Sequence, residues 1–523
     1  MTARIGIGLL VVAGLTVCIV CFVAPVGVSV WEALRDGDWA LAAMSTRRGA
    51  LIARGILISC GAVFFAIVLG ACLSCGLLHR SRTLATISRI AALTTILSPP
   101  YVIAYSFGLP LLPEGLRVAA TQAASPDWLV GEARAIACLA LWTAPIAALI
   151  LSTGWRASGA PAMSLARLDG GGPAALRRAA LPAVWPWLAL AAIACGLVSM
   201  GEFSVCHLCL VQIWNTEVLA EVQLLGKPGQ ALLLAWPLAA ILGLVSAAAW
   251  PLRAKVRTLL LELSGLGDAR DAAPPMQVGG PGAALTALAA LLILASPWAV
   301  LLVNLRRPGA LATAWVTYAG DWRDGVATAI GSTLACAAAS LSLAYVCGSR
   351  IRDKGRWRRG IAIVTVSAAF LLAFSPPTLV GDAVAALLEL VPAMRDGAWG
   401  VIIVGVARYG VVPIVTMWLA LGISGGSVDD LARSEADWPT QFRRVRVPLA
   451  MPAWLGSCAI AGVLSLTEVA ASQLVRAPGV GSVALTLLNQ IHFGRNDEII
   501  AMSLQVFVVT AGMSILVGKG LRD

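Results

Sequence analysis

Ala166-Arg167-Leu168-Asp169-Gly170-Gly171-Gly172-Pro173, followed by Leu176-Arg177-Arg178 and Leu181-Pro182, is a polar, basic loop between two long apolar segments. A second loop of the same design reads Asp430-Leu431-Ala432-Arg433, then Phe442-Arg443-Arg444, then Val447-Pro448. Each leads into an apolar segment with one acid in it, Ser199-Met200-Gly201-Glu202 and Ser465-Leu466-Thr467-Glu468. In both copies the Glu lies twenty residues after the Pro. Two such units predict a machine with two equivalent halves.

The surroundings of these loops set the class. Of 523 residues, 59% are hydrophobic and only 12% charged, against about 25% charged in a soluble domain. Runs of 18 or more apolar residues recur, each long enough to cross a hydrocarbon core of about 30 Å. Spanning segments must satisfy their own backbone in lipid. The short alternating strands of a barrel are missing. The class is therefore all-α integral membrane, with the lipid bilayer as solvent. The formal charge of +11 does not point to nucleic acid, because the bases sit in short loops between apolar runs. The twelve cysteines lie mostly inside apolar runs and form no disulfide framework. The N-terminal run after Arg4 is too long for a signal-peptide core and reads as a retained span.

Apolar spans are expected near 5–30, 51–78, 90–111, 132–153, 183–212 and 231–252, then near 283–304, 325–348, 361–391, 398–423, 449–475 and 497–517. That is about 12 transmembrane helices, as two parallel six-helix repeats over residues 1–252 and 283–523, with a polar linker at 253–282. The third span of each half contains Ser-Pro-Pro: Ser98-Pro99-Pro100 and Ser375-Pro376-Pro377. Pro99, Pro100, Pro376 and Pro377 should kink or interrupt those helices, since proline donates no hydrogen bond to the ladder. A shared break at one ordinal position supports the repeat.

Basic residues cluster in alternate loops, among them Arg80, Arg82 and Arg89, Arg177 and Arg178, Arg350 to Arg359, and Arg443 and Arg444. The positive-inside rule then puts both termini, the linker and both repeated loops in the cytoplasm. Arg47, Arg48, Arg54, Arg306, Arg307 and Arg323 are exceptions. Of the eighteen Trp residues, Trp31, Trp128, Trp322 and Trp399 lie near span ends and read as interfacial anchors.

Glu202 and Glu468 are the sharpest site candidates. A carboxylate in an apolar span is costly and usually faces a bundle interior or a water path. Twenty residues of helix put each about 30 Å past its Pro. Two acids related by the repeat could line a substrate pathway and attract a hard cation through oxygen ligands. Alternatively, each caps a helix or pairs with a base such as Arg408. Cys206-His207-Leu208-Cys209 resembles a metal motif, but no second ligand pair is near and structural zinc needs four ligands; no metal is assigned. The chain has no G-x-x-x-x-G-K-[ST] loop, and Gly479-Val480-Gly481-Ser482 lacks the Lys. It also shows no nucleophile–base arrangement, and it is read as a transport subunit rather than an enzyme.

The repeated loop resembles the EAA loop of the permease subunits of ATP-binding-cassette importers, whose pattern is Glu-Ala-Ala, three residues, Gly, nine residues, then Ile-x-Leu-Pro. Counting back from Pro448, Asp429 falls at the Glu position, Leu431 at the second Ala, Val445 at Ile and Val447 at Leu, and Glu435 stands where the Gly belongs. Counting back from Pro182, Asp169 falls at the Gly position, and one deletion would give Gly170 that role. The resemblance implies a type I importer permease fold in which Asp169, Gly170, Arg177, Arg178, Leu181 and Pro182, with Asp429, Glu435, Phe442, Arg443, Arg444 and Pro448, dock on an ATPase. The stretch from Thr467 to Ala471, then Ala477-Pro478-Gly479, then Leu488 to Gly494 is similar to the fused ferric-iron permeases. Fused thiamine permeases share the architecture. The likeness implies a partner ATPase dimer carrying the ATP and Mg, a periplasmic solute-binding protein, and the inner membrane of a bacterium. A secondary transporter, coupled to an ion gradient through Glu202 and Glu468, is the open alternative.

Overall fold

The computed structural model describes residues 2–35, 37–109, 127–169, 176–225, 230–248, 251, 280–348, 356–423, 437–493 and 496–520. Among them the regular secondary structure is helical, and an isolated bridge at His79 is the one β feature. Eight helices are long and apolar enough to cross a membrane: Leu9–Arg35, Thr46–Leu77, Val130–Leu168, Arg178–Gly201, Pro281–Asn304, Ala319–Cys347, Trp438–Leu466 and Asp497–Gly518. Two bent pairs raise the number to ten if each is one span. Ala231–Val245 and Ile363–Phe374 are apolar but shorter. The linker expected at 253–282 lies almost wholly outside the described residues.

The prolines break the third spans where the sequence places them. Arg82–Leu97 turns by 96° into Pro100–Ser106. Arg356–Phe374 ends before Pro376, and Pro377–Leu390 begins directly after it. In both cases the second proline starts a new helix, where its missing N–H costs nothing. Two further breaks had no proline to announce them. The fifth spans, expected over 183–212 and 449–475, end at Gly201 and Leu466. Short helices, Ser204–Leu208 and Ala470–Val475, follow at once. Helices Trp214–Leu225 and Val483–Phe493 then precede the last span of each set.

The helices pack in an exchanged pattern. Thr2–Cys18 lies along Ala319–Gly348, whereas Pro281–Asn304 lies along Thr46–Leu77. Likewise Asn496–Gly520 packs on Arg82–Leu97, and Ala231–Ala248 packs on Pro377–Leu390. The most extensive pairing joins Thr46–Leu77 to Asp127–Gly154. Gly70 permits it, because a Cβ there would stand 2.8 Å from the Ala144 carbonyl oxygen. Buried residues form several clusters along these contacts. Leu57, Phe64, Phe65, Leu292, Val508 and Leu516 stay well exposed on long helices. In water such faces would be a liability; in a bilayer they meet acyl chains.

Charged helix ends are paired. Arg47 meets Glu217 at 2.5 Å, Arg48 meets Glu221 at 3.5 Å, and Arg54 meets Glu132 at 2.6 Å. These three bases were exceptions to the loop-charge pattern, and each has an acid beside it. Of the expected interfacial tryptophans, Trp31 and Trp399 are exposed. Trp322 is not an anchor of that kind: it is buried, and its indole N–H donates to Gln505 at 3.0 Å. The side chain of Trp128 lies outside the described residues.

Candidate functional site

Glu202 and Glu468 stand at helix ends rather than in mid-helix. Each follows the last turn of its span and caps the short helix that comes next. The Glu202 carboxylate accepts from the Ser204 N–H at 2.8 Å and from the Ser204 hydroxyl. The Glu468 carboxylate accepts from the Ala471 N–H at 3.2 Å. Acidic side chains suit this position because the first N–H groups of a helix lack intrahelical partners.

The two acids then differ. Glu468 is buried and meets Arg408, whose Nε is 3.2 Å from its Oε2. The Tyr409 hydroxyl also donates to that oxygen. Arg408 Nη1 donates to the Ser375 carbonyl oxygen at 3.1 Å. That carbonyl is left over by the Ser375-Pro376-Pro377 break: the Leu379 N–H, its usual partner in a continuous helix, goes to Pro376 O instead. Arg408 thus joins three interruptions: the break at 375–377, the 45° bend between Trp399–Tyr409 and Val411–Trp418, and the break after Leu466. Glu202 has no cation in contact among the described residues, but it lies within electrostatic range of both Glu468 and Arg408. Tyr101, at the first Pro-Pro break, is within range of both carboxylates. Its hydroxyl is buried and has no hydrogen-bond partner among the described residues.

With both acids and Arg408 ionised, the cluster carries one negative charge. It offers carboxylate and phenol oxygens and a single guanidinium. A small cavity of about 20 Å³ adjoins the end of the Glu202 helix and is lined in part by Ser59, Ser199 and Asn215. That is room for a water molecule, which the Ser199 hydroxyl and Asn215 side-chain oxygen, unpartnered among the described residues, could hold. Among the described residues no group of three or more His, Cys, Asp or Glu could hold a metal ion. Arg408 stood in the sequence as a lone cation in an apolar run. Tyr101 and Tyr409 gave no such signal, since a tyrosine beside a helix break is as often packing as chemistry.

The repeated loops are described in part. Asp169, Arg178, Leu181 and Pro182 lie on the first, and Arg177 is described in backbone alone; Gly170 lies outside the described residues. On the second, Asp429 and Glu435 lie outside them, whereas Phe442, Arg443, Arg444 and Pro448 are placed. A wide π turn, Leu176–Ala180 and Phe442–Arg446, stands directly before Leu181-Pro182 and Val447-Pro448 in the two loops, and in the second an α-helical turn, Trp438–Gln441, precedes it. Arg443 and Arg444 are exposed, but Phe442 is buried. An aromatic cluster seats it: Tyr345 is edge-on at 5.3 Å and Trp438 is at 5.7 Å. The Arg446 guanidinium covers Trp438 at 5.2 Å. The chain matches no protein-family model, and no curated protein matches it significantly.

Proposed function

We propose that this chain is the permease of a binding-protein-dependent ATP-binding-cassette importer, with two parallel six-helix repeats fused in one polypeptide. The observation that carries the reading is the matched entry of the two basic loops, each a π turn leading into an apolar, Pro-started helix that ends at a capping Glu. The exchanged packing of the first and last spans supports two equivalent halves. In this reading the loops dock on a partner ATPase dimer that binds ATP and Mg. A periplasmic solute-binding protein delivers substrate at the opposite face, and both termini are cytoplasmic in a bacterial inner membrane. Closure of the ATPase dimer moves the loops, and the helix breaks around Glu202, Glu468, Tyr101 and Arg408 open and close the path.

Ferric iron is the substrate we favour, because carboxylate and phenol oxygens suit a hard cation. The Arg408–Glu468 pair supports a second reading. It cancels one acid and leaves a singly negative site with two tyrosines, which suits an organic cation such as thiamine through cation–π contact. A secondary transporter would have no use for the paired loops. Uptake of labelled ferric iron and of thiamine, measured with and without this gene, separates the substrates. Loss of iron uptake, reproduced by Glu202→Gln at normal protein level, is expected. Loss of thiamine uptake alone moves the assignment to the organic cation. Charge reversal at Arg443 and Arg444 should strip a co-purifying ATPase in mild detergent while the spans stay folded. An unchanged yield of the ATPase overturns the docking role.

A further inference from the structure

The cysteine motif has no part in the transport reading, yet its surroundings are specific. Cys209 ends the short helix Ser204–Leu208, and Cys138 lies on Asp127–Gly154, against which that helix packs. Both are buried in one cluster of packed side chains, where the two thiols lie within interaction range of one another. Arg134, one turn before Cys138, donates from Nε to the Cys209 sulfur at 3.2 Å and from Nη2 to the Leu208 carbonyl oxygen at 2.6 Å. Among the described residues its side-chain hydrogen bonds go to that sulfur and that carbonyl and to no carboxylate. A guanidinium held against a sulfur favours the thiolate, the form that attacks disulfides.

The backbone at Cys209 is also unusual. The Val211 N–H bonds the Cys206 carbonyl at 2.9 Å and the Leu210 N–H bonds that of His207 at 3.1 Å, which closes the helix in a Schellman turn. Such a turn needs a left-handed residue at its apex, normally glycine. Here it is Leu210, with φ of 57° and 91% exposed. A strained, exposed residue directly after a buried cysteine makes this turn the place where the helix end can open to a reagent.

We propose that Cys138 and Cys209 are a reversible dithiol–disulfide pair, with Cys209 the attacking thiolate, Arg134 its positioning cation and Cys138 the resolving thiol. The oxidant is a small-molecule disulfide. The Cys209 thiolate attacks one of its sulfurs and expels a thiolate, which leaves a mixed disulfide. Cys138 loses its proton, attacks the Cys209 sulfur and expels the second thiolate. Two protein thiols and one disulfide become one protein disulfide and two small thiols. The bond ties the helix after Glu202 to Asp127–Gly154, so it bears on the short helix that this acid caps.

The test uses the full-length protein in detergent, exposed to oxidised glutathione and then denatured and alkylated. The same protein unfolded in denaturant reports that the reagent is active. Loss of two of the twelve thiols, recovered by dithiothreitol, with a Cys138–Cys209 cross-linked peptide by mass spectrometry, is expected. Cys138→Ser should trap one glutathionyl group on Cys209, and Cys209→Ser should react at neither position. Arg134→Gln should slow the reaction about tenfold by reducing the thiolate fraction. Thiols still alkylatable at positions 138 and 209 under conditions in which the unfolded protein has reacted, or a bond from Cys206 in place of Cys138, overturns the proposal. An unchanged rate in Arg134→Gln removes the role of Arg134.

Discussion

Arg408 is worth more to the fold as half of a pair than as a charge. It is nearly buried, touches Glu468 at 3.2 Å and holds the Ser375 carbonyl that the proline break releases. Removing one member of a buried ion pair leaves the other uncompensated and costs about 3–5 kcal/mol. Arg408→Met or Glu468→Leu alone should therefore lower stability by that amount in mixed-micelle unfolding. The double variant should recover part of the loss but not all, because Ser375 O stays unpartnered, and an orphaned buried acceptor costs about 1–3 kcal/mol. Strictly additive losses would mean that the two groups do not interact. Leu210 bears the opposite kind of residue effect. Its left-handed backbone costs about 1–2 kcal/mol for a non-glycine residue, and glycine's extra freedom in the unfolded chain returns about half of that. Leu210→Gly should therefore stabilise the protein by about 0.5–1 kcal/mol in the same assay. A loss of stability would show that the exposed leucine side chain has a contact of its own.

Helix breaks divide what the sequence shows of this molecule from what it hides. Ser98-Pro99-Pro100 and Ser375-Pro376-Pro377 were legible because proline removes a donor wherever it falls, and both interruptions are there. The ends at Gly201 and Leu466 were not, because the apolar run continues and only packing decides that the helix stops. Glu202 and Glu468 could be picked out as acids in apolar runs, with helix capping and an Arg408 pair as the alternative reading, and both are seen; the hydrogen bond of Tyr409 to Glu468 could not be read in the same way. The packing of the short helices is tight enough to test. A Cβ on Gly381 would stand 2.7 Å from the Ala471 carbonyl oxygen and 2.9 Å from its Cα. Backbone cannot yield as a side-chain tip can, so Gly381→Ala should push Pro377–Leu390 away from Ala470–Val475 and cost about 1–3 kcal/mol. Gly512, in Asn496–Gly520, has nothing among the described residues within 4 Å of its Cβ position, and Gly512→Ala should be neutral or stabilising. Equal effects of the two substitutions on the unfolding midpoint would rule out a close approach at Gly381.

At the scale of the whole molecule, the exchanged helices decide how the two parts of the chain hold together. The helix Thr2–Cys18 belongs by sequence to the first part but packs on Ala319–Gly348, where Ser342 donates to the Leu10 carbonyl at 3.1 Å. Gly14 lies against the same neighbour: a Cβ there would stand 2.7 Å from Ser342 Cβ. In return Pro281–Asn304 packs on Thr46–Leu77, and a Cβ on Gly76 would meet Ala287 Cβ at 3.2 Å. Helix association in lipid rests on close approach of small residues rather than on hydrophobic burial, and each of these contacts has a small residue at its centre. The covalent connection between residues 248 and 280 is then not what joins the parts. Co-expression of 1–252 and 280–523 as separate polypeptides should give a complex that co-purifies in mild detergent through a tag on either piece. Gly14→Leu, which places a bulky side chain against Ser342 and the Ala338 carbonyl, should weaken that association while each piece still inserts. If the two pieces insert but never co-purify, the linker is the main bond between them, and the exchanged packing contributes little to assembly.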